Sequence, residues 1–288
     1  MKLCARCRTW YTYEREVSFS PHLVRLFPRQ DHGVRVRDFR FRTNAGAQVQ
    51  HRRDLYDNWI ARCFLPEPGA RLRFEADLEL EVAERNPFDF LVDADATRFP
   101  FAYRDVERAA LVPFLEVEAA DRVEGFPGWD SPDAGAGGDT VSVLVEMNRA
   151  LHRAIRYERR EHGEPHPPAE TLRRGAGSCR DTARLHAAIL RTRGIAARLV
   201  SGFLFETGSG PRVAEGALHL WTEAYLPGAG WVGFDPTNGV LCDHLYVPTA
   251  VGAGPRDVAP VLGSYYADAA VGSRIESQVE ILLELEGA

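Results

Sequence analysis

Apolar residues recur at period two through the first third of the chain. Val34 and Val36, then Phe39 and Phe41, stand two apart, and Leu72, Phe74, Ala76, Leu78, Leu80 and Val82 alternate with charged residues without a break. That period belongs to strands with one buried face. Turn-forming residues at Asn44-Ala45-Gly46, Asp57-Asn58 and Pro66-Glu67-Pro68-Gly69 separate the runs, so the segment predicts an antiparallel sheet or sandwich. Residues 1–12 are expected to form a flexible tail, and 13–135 a β-rich N-terminal domain with its linker. Nothing in this half gathers catalytic residue types.

The period changes after the Gly- and Pro-rich stretch 125–138, which reads as a loop. Thr140 is the expected N-cap of a helix whose buried face is Leu144, Met147, Leu151 and Ile155. A second helix is predicted from Cys179 to Arg193, stopped by Gly194. A strand then runs from Ile195 to Phe205, and the runs His219–Tyr225 and Trp231–Phe234 flank a five-residue hairpin loop, Leu226–Gly230. These elements define a core over 136–250. The extension 251–288 ends in a strand, where Val279, Ile281, Leu283 and Leu285 alternate.

Composition narrows the class. The chain has 288 residues, 45% hydrophobic and 26% charged, as in a folded globular protein. Its net charge of −6 argues against general nucleic-acid binding. Lys2 is the only lysine among 35 Lys and Arg residues, a bias that codon usage explains. No apolar run approaches the ~20 residues of a membrane span, and no secretory leader is apparent at Met1–Arg8. The expectation is therefore a cytoplasmic protein acting without nucleic acid or membrane. Five cysteines, an odd number, do not suggest a disulfide framework. Cys4-x-x-Cys7 has no second ligand pair to complete a zinc site, so no metal is expected.

The chemistry gathers in the core. Gly175-Ala176-Gly177-Ser178-Cys179-Arg180-Asp181 places Cys179 where a glycine-rich turn enters a helix. First-turn N–H groups and the helix dipole there stabilise a thiolate. With Tyr225 opposite Trp231 across the hairpin, Glu223 faces Gly233, Trp221 faces Asp235, and His219 becomes the diagonal neighbour of Asp235. Such neighbours lie ~7–8 Å apart along the backbone, within reach of an imidazole and a carboxylate. Asp235 then fixes the His219 tautomer and leaves the other ring nitrogen for a thiol. His186, two helical turns beyond Cys179, lies about 10 Å away along the helix, too far to serve as base, and reads as a packing residue.

These residues resemble a known family. Gly177-x-Cys179-x-Asp181, Arg193-Gly194-Ile195-x-Ala197-Arg198, His219-x-Trp221-x-Glu223 and Gly230-Trp231-x-x-x-Asp235-Pro236-Thr237 are similar to the transglutaminase-like superfamily core, in the bacterial branch often described as cysteine proteases. Arg25-Leu26-x-Pro28-Arg29 and Asp54-x-x-Asp57-Asn58 resemble that branch's N-terminal β region, and Asp243-His244 and Asp257-Val258-Ala259-Pro260 resemble the stretch after its core.

The resemblance implies an α+β, papain-like core, its cysteine helix packed on an antiparallel sheet and preceded by an antiparallel β domain. It implies Cys179 as nucleophile, His219 as general base and acid, and Asp235 as orienter. Trp221, Arg180 and His244 are the expected substrate contacts; Arg180 stands where Gln is more usual and so bears on substrate charge. The implied activity is acyl transfer on peptide or protein amides through a thioester, with no cofactor. Hydrolysis is the expected fate; transamidation, or a catalytically silent peptide-binding module on the same fold, are the alternatives. The oligomeric state is left open.

Overall fold

The computed structural model describes residues 1–123, 125–126, 129, 136–160, 163–207 and 213–284. Most of the expected loop at 125–138, and Leu285, lie outside the described residues. In the N-terminal region the alternating pattern becomes β1 (Lys2–Phe19), β2 (His22–Val24), β3 (Val34–Thr43), β4 (Gln48–Arg53), β5 (Trp59–Phe64) and β6 (Gly69–Val82). β6 lies between β1 and β3, both antiparallel to it. Its six alternating apolar residues, from Leu72 to Val82, are buried. Leu3, Ala5 and Cys7 face Leu80, Leu78 and Ala76 across the ladder. On the opposite face Arg6 and Arg42 both meet Asp77, at 2.7 and 2.5 Å, and Arg37 meets Glu81 at 2.6 Å. Much of the arginine is thus used in exposed pairs, which add solubility more than stability.

One expectation changes here. Residues 1–12 are not a flexible tail: from Lys2 onward they form more than half of β1, held by β6 on one side and the C-terminal strand on the other. The alternation Leu3, Ala5, Cys7, Thr9, all buried, continues the period-two pattern, but its small and polar members disguise it. The parity switch from Val34 and Val36 to Phe39 and Phe41 is a bulge: the register with β6 shifts between Val36 and Asp38, where one extra residue reverses the faces.

The core adds α1 (Asp105–Leu115), α2 (Thr140–Ala154), α3 (Pro168–Arg174) and α4 (Cys179–Thr192), with short parallel-paired strands β7 (Arg156–Tyr157) and β8 (Ala176–Gly177) around α3. It continues through β9 (Ala197–Thr207), β10 (Val213–Leu226), β11 (Gly230–Asp235), β12 (Val240–Leu241) and β13 (Tyr246–Gly252). The chain then forms β14 (Val261–Leu262), β15 (Tyr265–Tyr266) and β16 (Ser273–Glu284). α1 and α3 were not expected from the pattern. The N-cap of α2 is Asp139, whose Oδ1 accepts from Ser142 N–H at 2.8 Å, and Thr140 begins the helix.

One sheet runs through both regions in the order β12-β11-β10-β16-β1-β6-β3, with β9 beside β10 and β13 beside β9. β16 joins the halves, pairing β1 along one edge and β10 along the other. A smaller sheet, β14-β2-β5-β4, covers the N-terminal core. α4 is central to the second core. Leu185, Ile189 and Leu190 pack with Leu144, Met147 and Leu151 of α2 and with Leu220, Val232 and Phe234 of the hairpin. Thr222 Oγ1 donates to the Ala183 carbonyl at 3.1 Å, fixing α4 on β10. The architecture is α+β, a papain-like core preceded by a β domain. No helix among the described residues is long and apolar enough to cross a membrane.

Candidate active site

Close packing at the Gly177–Asp181 turn aims the first residue of α4. Gly177 is buried against the Asp181 side chain: a Cβ at position 177 would stand 2.8 Å from Asp181 Cβ, closer than carbon atoms approach. Ser178 is the N-cap, and its backbone N–H and hydroxyl both donate to Asp181 Oδ2 at 2.8 Å. Asp181 Oδ1 accepts from His166 N–H at 2.6 Å and from Arg160 at 2.5 Å. Burial works against its charge, and these donors outweigh it, holding the carboxyl below its ordinary value. Asp181 is therefore a fully buried anchor of the turn. Cys179 follows as the first helical residue, half-buried, with its backbone at the positive end of the dipole.

The hairpin supplies the other two groups. Tyr225 pairs with Trp231 and Glu223 with Gly233, the expected register. Leu226 also pairs with Gly230, so the turn has three residues rather than five. The ladder between β10 and β11 ends at Thr222 and Phe234, and just beyond it His219 Nε2 donates to Asp235 Oδ2 at 2.8 Å. Nδ1 is left for Cys179, whose sulfur and the ring act on each other's charge, with the Leu220 N–H beside the sulfur. The structure thus brings Cys179, His219 and Asp235 into one chain of contacts.

The electrostatics favour separated charge. Burial pushes the Cys179 thiol up, but the His219 hydrogen bond and charge, the Leu220 N–H and Arg180 together bring it below its ordinary value. Burial opposes the His219 imidazolium, and Asp235 and Cys179 overcome it, raising the ring to about 10. Asp235, fully buried, would also rise through burial; His219, Tyr246 and Thr237 hold it low instead. Its Oδ2 accepts from Tyr246 Oη at 2.9 Å and Asn238 Nδ2 at 2.8 Å, its Oδ1 from Thr237 N–H at 2.8 Å. These are the contacts of a thiolate and imidazolium pair steadied by a carboxylate.

Tyr246 and Asn238 were not anticipated. Asn238 is visible in retrospect: Asp235-Pro236-Thr237-Asn238 is a turn in which an Asp folds back on the following N–H groups. Tyr246 is brought in by the start of β13, which no local pattern ties to β11. Trp221 lies beside His219, its ring stacked at 6.4 Å, but only 1% of it is exposed; it forms a wall. Arg180 donates to the carbonyls of Gly163 at 2.9 Å and Arg160 at 2.7 Å, so its terminal nitrogens hold the segment before α3. His244 lines with Trp221 a cavity of about 250 Å³ between the N-terminal region and the core, to whose wall Cys179 does not contribute. A larger hollow of about 620 Å³, lined by Phe88, Leu204, Val240, Asn238 and Tyr246, adjoins the Asp235 side. His186 is fully buried with both ring nitrogens unpartnered; burial drives its pKa down to about 3, and it packs edge-on to Phe234 at 6.2 Å as a neutral ring.

Comparison with known proteins bears on family and fold. Residues 133–236 match the family model of the transglutaminase-like superfamily, and residues 5–81 that of the bacterial transglutaminase-like N-terminal region. "Uncharacterized protein ML0607" of Mycobacterium leprae is 37% identical over 98 residues, 33% of this chain and 34% of that protein. "Uncharacterized protein Rv2569c" of Mycobacterium tuberculosis is 34% identical over 120 residues, 39% of this chain and 38% of that protein. The chain thus matches little more than a third of the length of these curated relatives. The crystal structure of a "Putative Cysteine Protease" from Cytophaga hutchinsonii superimposes with a TM-score of 0.69 at 17% identity, over 100% of this chain and 92% of the other, and shares its fold. The chain belongs to the transglutaminase-like superfamily and carries the bacterial transglutaminase-like N-terminal region.

Proposed function

We propose that this protein is a thiol-dependent acyl-transfer enzyme acting on peptide or protein amides, with hydrolysis as the outcome. The observation that carries the reading is the continuous contact from Asp235 through His219 to Cys179 at the start of α4. The Cys179 thiolate adds to the amide carbonyl, and the negative charge moves to oxygen, within reach of the Cys179 N–H. As the tetrahedral adduct collapses, the C–N bond breaks and His219 gives its Nδ1 proton to the departing amine, leaving a thioester and a neutral imidazole. Water then adds to the thioester while His219 removes its proton; the C–S bond breaks, and a carboxylic acid and the starting thiolate result. Asp235 keeps Nδ1 aimed at sulfur throughout by holding Nε2–H.

Hydrolysis is preferred over transamidation because water is always present at a half-exposed thiol. The Cytophaga structure, described as a "Putative Cysteine Protease", favours the same reading. A silent binding module has no use for a buried carboxylate that accepts from Tyr246, from the Thr237 N–H, from both the side chain and the N–H of Asn238, and from a histidine. The cytoplasm is the proposed place of work, since a reducing compartment preserves a reactive thiol. Selective alkylation tests the reading. With iodoacetamide at mildly acidic pH, Cys179 is expected to react first, and His219→Ala to abolish that preference. If Cys179 reacts no faster than Cys63 or Cys242, the catalytic reading fails.

A further inference from the structure

The cavity of about 250 Å³ between the two regions carries a feature the triad does not explain. Arg29, half-buried in its wall, donates through Nη1 to the Tyr56 carbonyl at 3.2 Å and to Asn58 Oδ1 at 2.8 Å. Both acceptors are neutral. Among the described residues no carboxylate lies within ion-pair distance of Arg29, and its Nε and Nη2 donate to nothing. Burial opposes its charge, and a second guanidinium, Arg198, faces the same cavity and opposes it further; Glu223, Asp57 and Asp54 act on it favourably, but none lies within ion-pair distance.

The carboxylates of the wall are already engaged. Glu223 is bound to Arg198 at 2.6 Å, Asp31 Oδ1 accepts from Gly33 and Val34 N–H, and Asp243 Oδ1 accepts from Leu245 N–H. Arg29 cannot turn away, because fully buried Asn58 is itself clamped to both the N–H and the carbonyl of Val251. Beside it, His244 presents a buried Nδ1 with no partner among the described residues. Trp221 and Trp231 supply flat apolar walls.

We propose that this cavity is a carboxylate-binding subsite that takes a single acidic amino-acid residue. Arg29 holds the carboxylate through Nε and Nη2, the paired-donor face of a guanidinium. His244 offers a further donor, and the indoles cover the methylene stem. Three carboxylates already face the cavity, so a dianionic phosphate is disfavoured where a monoanion is accepted. The volume, below the ~300 Å³ of the smallest drug-sized pockets, suits one residue. The cavity shares its wall with the triad: Trp221 stacks on His219, and Tyr246 bonds Asp235. That the bound residue belongs to the substrate rests on the acyl-transfer reading; the binding itself does not.

Calorimetric titration of the full-length Cys179→Ser protein tests the subsite. N-acetyl-L-glutamate α-amide, a monoanion, should bind saturably, about tenfold or more tighter than the neutral N-acetyl-L-glutamine α-amide. Arg29→Lys keeps the charge and loses the paired face, and should weaken N-acetyl-L-glutamate α-amide several-fold while the protein melts as a folded chain. Arg85→Gln at the cavity mouth should change affinity less than Arg29→Lys. No saturable binding, equal binding of the neutral glutamine compound, equally tight inorganic phosphate, or unchanged affinity in folded Arg29→Lys would each overturn the proposal. Saturable binding here, alongside a wild-type protein that cleaves no amide, would remove the acyl-transfer reading and leave the subsite standing.

Discussion

Asp235→Asn isolates the charge that the geometry assigns to the pair. The amide matches the carboxylate in shape and keeps an acceptor for Thr237 N–H, so the fold should survive. What goes is the negative charge beside His219. Raising an imidazole from 6.5 to about 10 corresponds to roughly 5 kcal/mol of preference for its protonated form at 1.36 kcal/mol per pH unit. Asp235 and Cys179 share that preference against burial. Losing about half of it, roughly 2–3 kcal/mol, lowers the population of the thiolate and imidazolium pair by about 30- to 160-fold. The assay is the second-order rate of iodoacetamide alkylation at Cys179 from pH 4 to 10. In the wild type the rate should be substantial in mild acid. In Asp235→Asn it should fall at pH 6 by the factor above and recover only as pH enters the ordinary thiol range. A variant profile superimposable on the wild type, or one lowered equally at every pH, would refute the electrostatic account.

His186 gives an acid-stability prediction with a definite sign. Its folded pKa, about 3, lies below the unfolded value of 6.5, so between those values the unfolded chain binds more protons and stability falls as pH drops. Its contribution from pH 7 to pH 5 is a loss of about 2 kcal/mol; urea unfolding of His186→Leu should lack that increment, and an unchanged acid dependence would contradict it. Gly177→Ala should lose about 1–3 kcal/mol through the clash with Asp181, seen as a lower urea midpoint together with slower Cys179 alkylation. Asp181→Asn should cost about 3 kcal/mol, because Arg160, only a quarter exposed, loses its charged acceptor; thermal unfolding measures it.

The sequence was most legible where one local rule decided the outcome. Leu72 to Val82 alternates over one uninterrupted strand, and aromatic Tyr225 and Trp231 mark the true hairpin register, so the sequence alone places His219 and Asp235 together. It was least legible where distant segments converge. β1 resembled a loose terminus because its ladder partners are β6 and β16, the latter some 270 residues away. Tyr246 and Asn238 complete Asp235 only once β13 has folded beside β9. Arg180 looked like a substrate contact from its place after Cys179; its side chain instead reaches back to residues 160 and 163, a direction that helical position alone does not determine.

Mass spectrometry of Cys179 during turnover is the most direct test of acyl transfer. The full-length protein is mixed with a peptide library, quenched in acid and digested, and the peptide bearing Cys179 is examined for added acyl mass. A hydroxylamine-labile acyl group on Cys179, absent in Cys179→Ser and coinciding with peptide cleavage, is the predicted result. Cleavage that persists in Cys179→Ser, or a library left intact with Cys179 unmodified, would contradict the account.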